Sequence, residues 1–233
     1  MRSLVSVIVT AKNEGKRIKN TLLSIRTQTY KPVEIIVSDA TSADKTVAIA
    51  KKYADKVVVK ETNIPAGKNF GAKFARGSIL VFVDADTLLP KKMIEKAVKN
   101  LENVDFTVGI FKPRENNWKA RFTCIFWSQI LVYLTKIFGM TCFPGGATFY
   151  IKKSLFNKIG GFDEKLNLAE DLEFSQKVIK TAKIKWDKSL VCYTSMRRFE
   201  TEGYLKWYAI WLYHLLIFAL TGRTFGRSYK HIK

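Results

Sequence analysis

Apolar and polar positions fall into alternating blocks along the first hundred residues, and the blocks change period as they go. The pattern predicts a strand over Leu4–Thr10 and a helix over Glu14–Thr27, with apolar positions at Ile18, Leu22, Leu23 and Ile25. A second strand follows at Val33–Val37, then a helix at Thr46–Tyr53 that Ser42 or Asp44 can cap. Lys56–Val59 reads as a short third strand, residues 63–77 as a loop and a helix ending at Gly77, and Ile79–Val83 as a fourth strand. Strands that are apolar throughout are buried on both faces, and strands separated by helices imply an α/β fold with a mostly parallel sheet flanked by helices.

The second half is less regular. Asp105–Phe111 reads as a strand, Asn116–Phe138 as one long helix, and residues 145–164 as a strand, a short helix and a glycine turn. A helix at Glu170–Ala182 and a strand at Lys183–Tyr193 complete the core, and an aromatic-rich helix at Gly203–Leu220 leads into a basic tail. No internal repeat or low-complexity linker interrupts the chain. The expected division is a domain over 1–200 and an appendage over 201–233.

Ligands of open parallel sheets bind beyond the carboxyl ends of the strands. That rule puts Thr10–Glu14, Asp39 and Asp84–Asp86 on one rim, because each follows a predicted strand. Asp84 and Asp86, at i and i+2, offer hard oxygen ligands on one side, as Mg²⁺ or Mn²⁺ requires when it bridges to a nucleotide. Their structural alternative is a cap for the helix that Pro90 announces. For Asp39 the alternatives are an Asx-turn or a hydrogen-bond acceptor for a base or ribose. Neither a dinucleotide fingerprint nor a P-loop is present.

Charge widens the choice of partners. The 233 residues carry a formal net charge of +20, which attracts nucleic acid, anionic lipid or phosphorylated substrates. Three scattered cysteines make neither a disulfide framework nor a zinc site and suit a reducing cytosol. Only two histidines, His214 and His231, are present, so acid–base chemistry in the body of the chain falls to carboxylates. The N-terminal "MRSLVSVIVT" is read as a buried strand, its apolar run being short and β-branched for a secretory signal.

Three segments, "VSVIVTAKNEGKRIKNTLLSIRTQTYKPVEIIVSDATSADKT", "AGKNFGAKFARGSILVFVDADTLLP" and "GGATFYIKKSLFNKIGGFDEKLNLAEDLEFSQKV", together resemble family 2 glycosyltransferases of the GT-A (Rossmann-like) fold, over about Val5 to Lys180. The resemblance implies an inverting, nucleotide-sugar-dependent enzyme, with a nucleotide-binding half over 1–101 and an acceptor half over 102–200. Thr10, Ala11 and Glu14 match the family's first nucleotide-binding loop, and Asp39 the aspartate that reads the base. Asp84, Ala85 and Asp86 match the Asp-x-Asp that holds diphosphate and metal, Mn²⁺ or Mg²⁺. Asp171 matches the general base, while Gly146 and Glu170 fall on the acceptor side. Asp171 also suits the first turn of a helix on macrodipole grounds alone. Lys68 stands where many members carry arginine, and Leu88 where the dolichyl-phosphate-sugar enzymes carry glutamine. The segment "SMRRFETEG" resembles a basic stretch found after the core in some members, so Arg197 or Arg198 could close over the diphosphate, or lie in a solvated loop.

Tyr204–Leu220 is seventeen residues with one lysine, and Phe122–Leu134 is thirteen without charge, both short for a membrane span. They read as interfacial helices, with Trp207, Tyr208, Trp211 and Tyr213 at headgroup level and the basic excess holding anionic lipid. The alternative is packing against the core. The leading expectation is thus a metal-dependent glycosyltransferase, peripheral on the cytoplasmic membrane face, with a lipid-linked or otherwise membrane-presented glycan acceptor. A nucleotidyltransferase on a related fold would share the metal carboxylates without needing Asp171. A basic nucleic-acid-binding protein is the reading outside enzymes, and no RNA- or DNA-binding motif supports it.

Overall fold

The computed structural model describes residues 2–137, 143, 148–166 and 168–221. Four parallel strands form one half of a seven-stranded sheet: β1 (Val5–Ala11), β2 (Val33–Asp39), β3 (Lys56–Val59) and β4 (Ile79–Asp84). The other half holds β5 (Phe106–Pro113), β6 (Phe149–Lys152) and β7 (Ile184–Thr194), in the order β3-β2-β1-β4-β6-β5-β7. β6 runs antiparallel to both its neighbours, and every other pairing is parallel. Val5, Val7, Ile8 and Val9 of β1 are wholly buried, as a strand covered on both faces must be.

The helices are α1 (Ile18–Arg26), α2 (Thr46–Tyr53), α3 (Ile64–Lys73) and α4 (Met93–Leu101) in the first half. α3 lies so close to β1 that a Cβ on Gly71 would stand 2.5 Å from the Ile8 methyl, so glycine is needed there. In the second half come α5 (Trp118–Ile125), α6 (Leu131–Ile137), α7 (Lys153–Lys158), α8 (Glu170–Thr181), α9 (Arg197–Glu202) and α10 (Tyr204–Thr221).

Three expectations change. The first helix begins at Ile18, four residues later than the pattern suggested. Asn13 takes a left-handed φ of 55°, and the amides of Asn13 and Glu14 donate to Ser42 and Thr46 in place of helical bonds. The long helix is interrupted by a π-helical turn, Phe126–Ile130, joining α5 to α6, and that turn sets Trp127 and Ser128 inward. Residues 197–202 form a short helix, α9, where a loop was the bland reading. Gly146 lies outside the described residues, as do Phe138 and the basic tail.

α10 is apolar on both sides. Trp207, His214 and Phe218 are buried, and Trp211 packs at 5.9 Å on Trp127, so this stripe faces the core. Leu205, Leu212, Leu216 and Leu220 stand on the opposite side, exposed. The headgroup-level role expected of Trp207, Tyr208 and Trp211 therefore gives way to packing. Tyr208 stacks near Phe126 and Trp127 and donates to Thr123 Oγ1 at 3.1 Å, and only Tyr213 of the four points outward.

Candidate active site

The strand order reverses between β1 and β4, and a cleft of about 270 Å³ opens beyond their carboxyl ends. Register brings the predicted clusters together: Thr10 is paired with Asp84 across β1 and β4, and Ala11 with Asp39 across β1 and β2. Of the sequence candidates, Thr10, Ala11, Glu14, Lys68, Asp84, Ala85, Asp86, Glu170, Asp171, Arg197 and Arg198 all line this cleft. Asp39 sits just behind it, buried, with one carboxylate oxygen accepting from the Ser42 amide at 2.7 Å and the other from the Ser42 hydroxyl at 2.6 Å. The amide hydrogen bond spans three residues, one more than an Asx-turn, and the pair ties the loop after β2 to Asn13 through Ser42.

Asp84 ends β4, and the chain turns at Ala85 under a hydrogen bond from Thr21 Oγ1 to the Ala85 carbonyl at 2.8 Å. Leu88 then exchanges two backbone hydrogen bonds with Tyr193, which brings Thr194 Oγ1 to 3.5 Å from Asp86. Burial pushes the Asp86 carboxyl up to about 7, helped by Asp84 and Glu14 and opposed by Arg197 and Arg198. Asp84 is raised too, by burial first, while Lys68 pulls the other way. Two neighbouring carboxylates held above their ordinary values by burial are a pair that a divalent cation would relieve. The donor set fits Mn²⁺ or Mg²⁺ with its other positions left to water or phosphate. No group of three metal-ligating side chains occurs among the described residues.

Opposite stands α8. Its first turn carries Glu170, Asp171 and Glu173, and the residue before it, Ala169, holds a left-handed φ of 59° without being glycine. Strain of this kind costs roughly 1 kcal/mol or more and persists where the surroundings enforce it. Here it starts the helix so that Asp171 reaches the cleft. Glu170 meets Lys68 at 3.1 Å with both side chains nearly dry. Burial by itself would lower the Lys68 pKa, but Glu170, Asp84 and Asp171 outweigh it and the ammonium is held more firmly than usual. Lys68 comes from α3, whose N-terminus is capped by Asn63 accepting from the Ala66 amide at 3.0 Å.

The basic segment closes one side. Arg197 Nη2 donates to Glu14 Oε1 at 2.7 Å, linking α9 to the loop after β1. Arg198 lies over the Trp207 ring at 5.3 Å, within the fields of Asp84 and Asp86. Five carboxylates and four cations line the cleft, so by formal charge it is slightly acidic in a chain of net charge +20. Thr194 and Trp127 line the cleft without having been singled out in the sequence, and Trp207 and Trp211, expected at headgroup level, line it as well. An apolar helix reads the same whether it covers a site or a core.

The Glycosyl transferase family 2 profile matches residues 6–160. An uncharacterised glycosyltransferase of Rickettsia typhi is 27% identical over 210 residues, covering 86% of this chain and 66% of that protein. Glycosyltransferase GlyG of Streptococcus pneumoniae is 31% identical over 180 residues, covering 68% of this chain and 60% of the relative. Among solved structures, a mannosyltransferase from Pyrobaculum calidifontis in complex with GDP-Man and Mn²⁺ superposes with a TM-score of 0.66 at 23% identity, over 84% of this chain and 57% of that one. S. aureus TarS with UDP gives 0.64 at 23% identity, over 82% and 60%. The chain thus spans about two thirds or less of these proteins' lengths, and the structural likeness fixes the GT-A fold. A profile match over more than half its length, on a cleft built at the switch point of a GT-A sheet, identifies the chain as a member of glycosyltransferase family 2.

Proposed function

We propose that this enzyme transfers a sugar from a UDP- or GDP-linked donor to a hydroxyl or phosphate acceptor, with inversion and with a divalent metal. The observation that carries the reading is the arrangement of charge in the cleft. Asp84 and Asp86 are raised first by burial on one side, and Asp171 stands with Lys68 and Glu170 on the other. A diphosphate alone would enter a formally acidic cleft; Asp84 and Asp86 would hold Mn²⁺ or Mg²⁺, which would supply positive charge toward the leaving group. Thr10, Ala11, Glu14 and Asp39 border the nucleotide end, and Lys68, Arg197 and Arg198 add cations where phosphates would lie. The neighbours described with GDP-Man and with UDP support this class of donor.

Asp171 is the general base in this reading. It takes the proton from the acceptor hydroxyl as that oxygen attacks the anomeric carbon on the face opposite the departing diphosphate. Glu170 holds Lys68 and leaves Asp171 to do this. Gly146 is retained as an acceptor-side position. The test is release of UDP or GDP from the matching nucleotide-sugar, with lipid-linked glycans extracted from membranes as acceptor. Asp171→Asn is expected to lose about 10²–10⁴-fold in turnover and to keep its nucleotide affinity; full turnover in that variant would contradict the assignment.

The acceptor in this reading is presented at a membrane. No described helix is long and apolar enough to cross one. Trp118, Phe122 and Ile125 on α5 and Leu205, Leu212, Leu216 and Leu220 on α10 are exposed beside the seam between the two helices. Residues 222–233 add four Lys or Arg and no acid. An apolar face with so basic a surround suits the cytoplasmic face of an anionic bilayer.

A further inference from the structure

An ion pair joins the two halves of the cleft on its β1 side. Glu14, in the loop after β1, accepts from Arg197 Nη2 of α9 at 2.7 Å, across 183 residues of sequence, and both residues line the cleft. Each end of this bridge is fixed from behind. The Glu14 amide donates to Thr46 Oγ1 at 2.8 Å, and its carbonyl accepts from the amides of Arg17 and Ile18 at 2.8 and 2.9 Å. On the other side, Glu115 accepts from Ser195 Oγ at 2.8 Å and from the Met196 amide at 2.9 Å, while Asn117 Nδ2 donates to Glu200 at 2.7 Å. α9 is thereby clasped onto the segment between β5 and α5, and from there Arg197 reaches across to Glu14.

Glu14 is a poor direct partner for a diphosphate, because its own charge repels one. Its carboxylate is also occupied: Oε1 holds Arg197, and Oε2 is enclosed, with Arg17 Nη1 3.5 Å away. A guanidinium carries five donors in a planar fork, so a contact through Nη2 leaves others for a second acceptor. We propose that Glu14 is a positioning residue for Arg197: it does not touch the donor, but keeps the guanidinium over the cleft, where its remaining donors take the diphosphate. A long side chain preset by a carboxylate loses less rotamer freedom on binding, and affinity rises by what is saved. This rests on the cleft taking a nucleoside diphosphate, and the experiment below separates the failure of one from the failure of the other.

The sign of one substitution is diagnostic. Glu14→Met removes a negative charge from the cleft, so charge alone predicts tighter binding of a diphosphate. Positioning predicts the reverse: in calorimetric titration of UDP and of GDP with Mn²⁺, Glu14→Met binds the preferred nucleotide about tenfold more weakly than the wild type. In an Arg197→Met background the same substitution causes no further loss, since no guanidinium is left to position. Unchanged or tighter binding by Glu14→Met would overturn the proposal, as would losses that add in the double variant, which would make Glu14 a direct donor contact. Should either variant fail to fold, a crystal structure of the wild-type chain with Mn²⁺ and that nucleotide decides. Arg197 on both Glu14 and a phosphate oxygen supports the proposal; Arg197 released from Glu14, or Glu14 against the ribose, contradicts it. A wild type that binds neither nucleotide removes the donor reading and the positioning role with it, whereas a wild type that binds while the variants behave additively removes the positioning role alone.

Discussion

Lys68 and Glu170 form an ion pair that water scarcely reaches, 3.1 Å apart and joining α3 to the start of α8. Removing one partner strands the other charge, which costs about 3–5 kcal/mol, whereas neutralising both costs far less. Lys68→Met should therefore lower the urea midpoint sharply, and adding Glu170→Gln should recover most of the loss; equal damage in single and double variants would contradict the pairing. Glu34 makes a second buried network, accepting from Ser6 Oγ at 2.5 Å, from the Arg76 amide at 2.7 Å and from Arg76 Nε at 2.8 Å. Burial alone would raise its pKa, but these donors outweigh burial and hold it below the ordinary value. The unfolded chain then binds the extra proton, so the stabilisation is complete above the unfolded pKa of about 4.3. It disappears as pH falls through the depressed folded value. Glu34→Gln should be less stable than the wild type at neutral pH and show a flatter acid limb in urea titrations; a parallel acid limb would remove Glu34 as its source.

At the scale of the element, α10 carries two jobs on two faces. Trp207 and Trp211 of its inner stripe wall the cleft, and its outer leucines are exposed. Replacing Leu212 and Leu216 by glutamate leaves the inner stripe intact and removes apolar area from the outer one. Binding to vesicles containing anionic phosphatidylglycerol should fall at least about tenfold, with the cleft's nucleotide affinity unchanged; undiminished vesicle binding would place the lipid contact elsewhere. The rim formed by β1, β2 and β4 was legible because a parallel strand announces itself by continuous apolar residues and the next polar residue must lie at its carboxyl end. Thr10, Asp39, Asp84 and Asp86 were found that way. Asp171 was legible only by resemblance, since an acidic residue in a first helical turn has an ordinary explanation. The inward placement of Trp127 and His214 was not legible at all. It depends on a π-helical turn and on which side of an all-apolar helix faces inward, and neither leaves a period in the sequence.

For the whole molecule, the contrast between surface and cleft matters most. The chain is strongly cationic, yet its cleft gathers Glu14, Asp84, Asp86, Glu170 and Asp171 against four cations. General attraction of polyanions to a basic surface would weaken steeply with salt and ignore metal. In the proposed reading, specific occupation of the cleft by a nucleoside diphosphate would depend instead on the two carboxylates at the end of β4. Calorimetric titration of UDP and of GDP, with and without Mn²⁺, into the wild type and Asp86→Ala separates the two. The account predicts that one nucleotide binds only with Mn²⁺, and that Asp86→Ala abolishes this binding while the fold stays intact. Equal binding with and without metal, or affinity retained by Asp86→Ala, would contradict it.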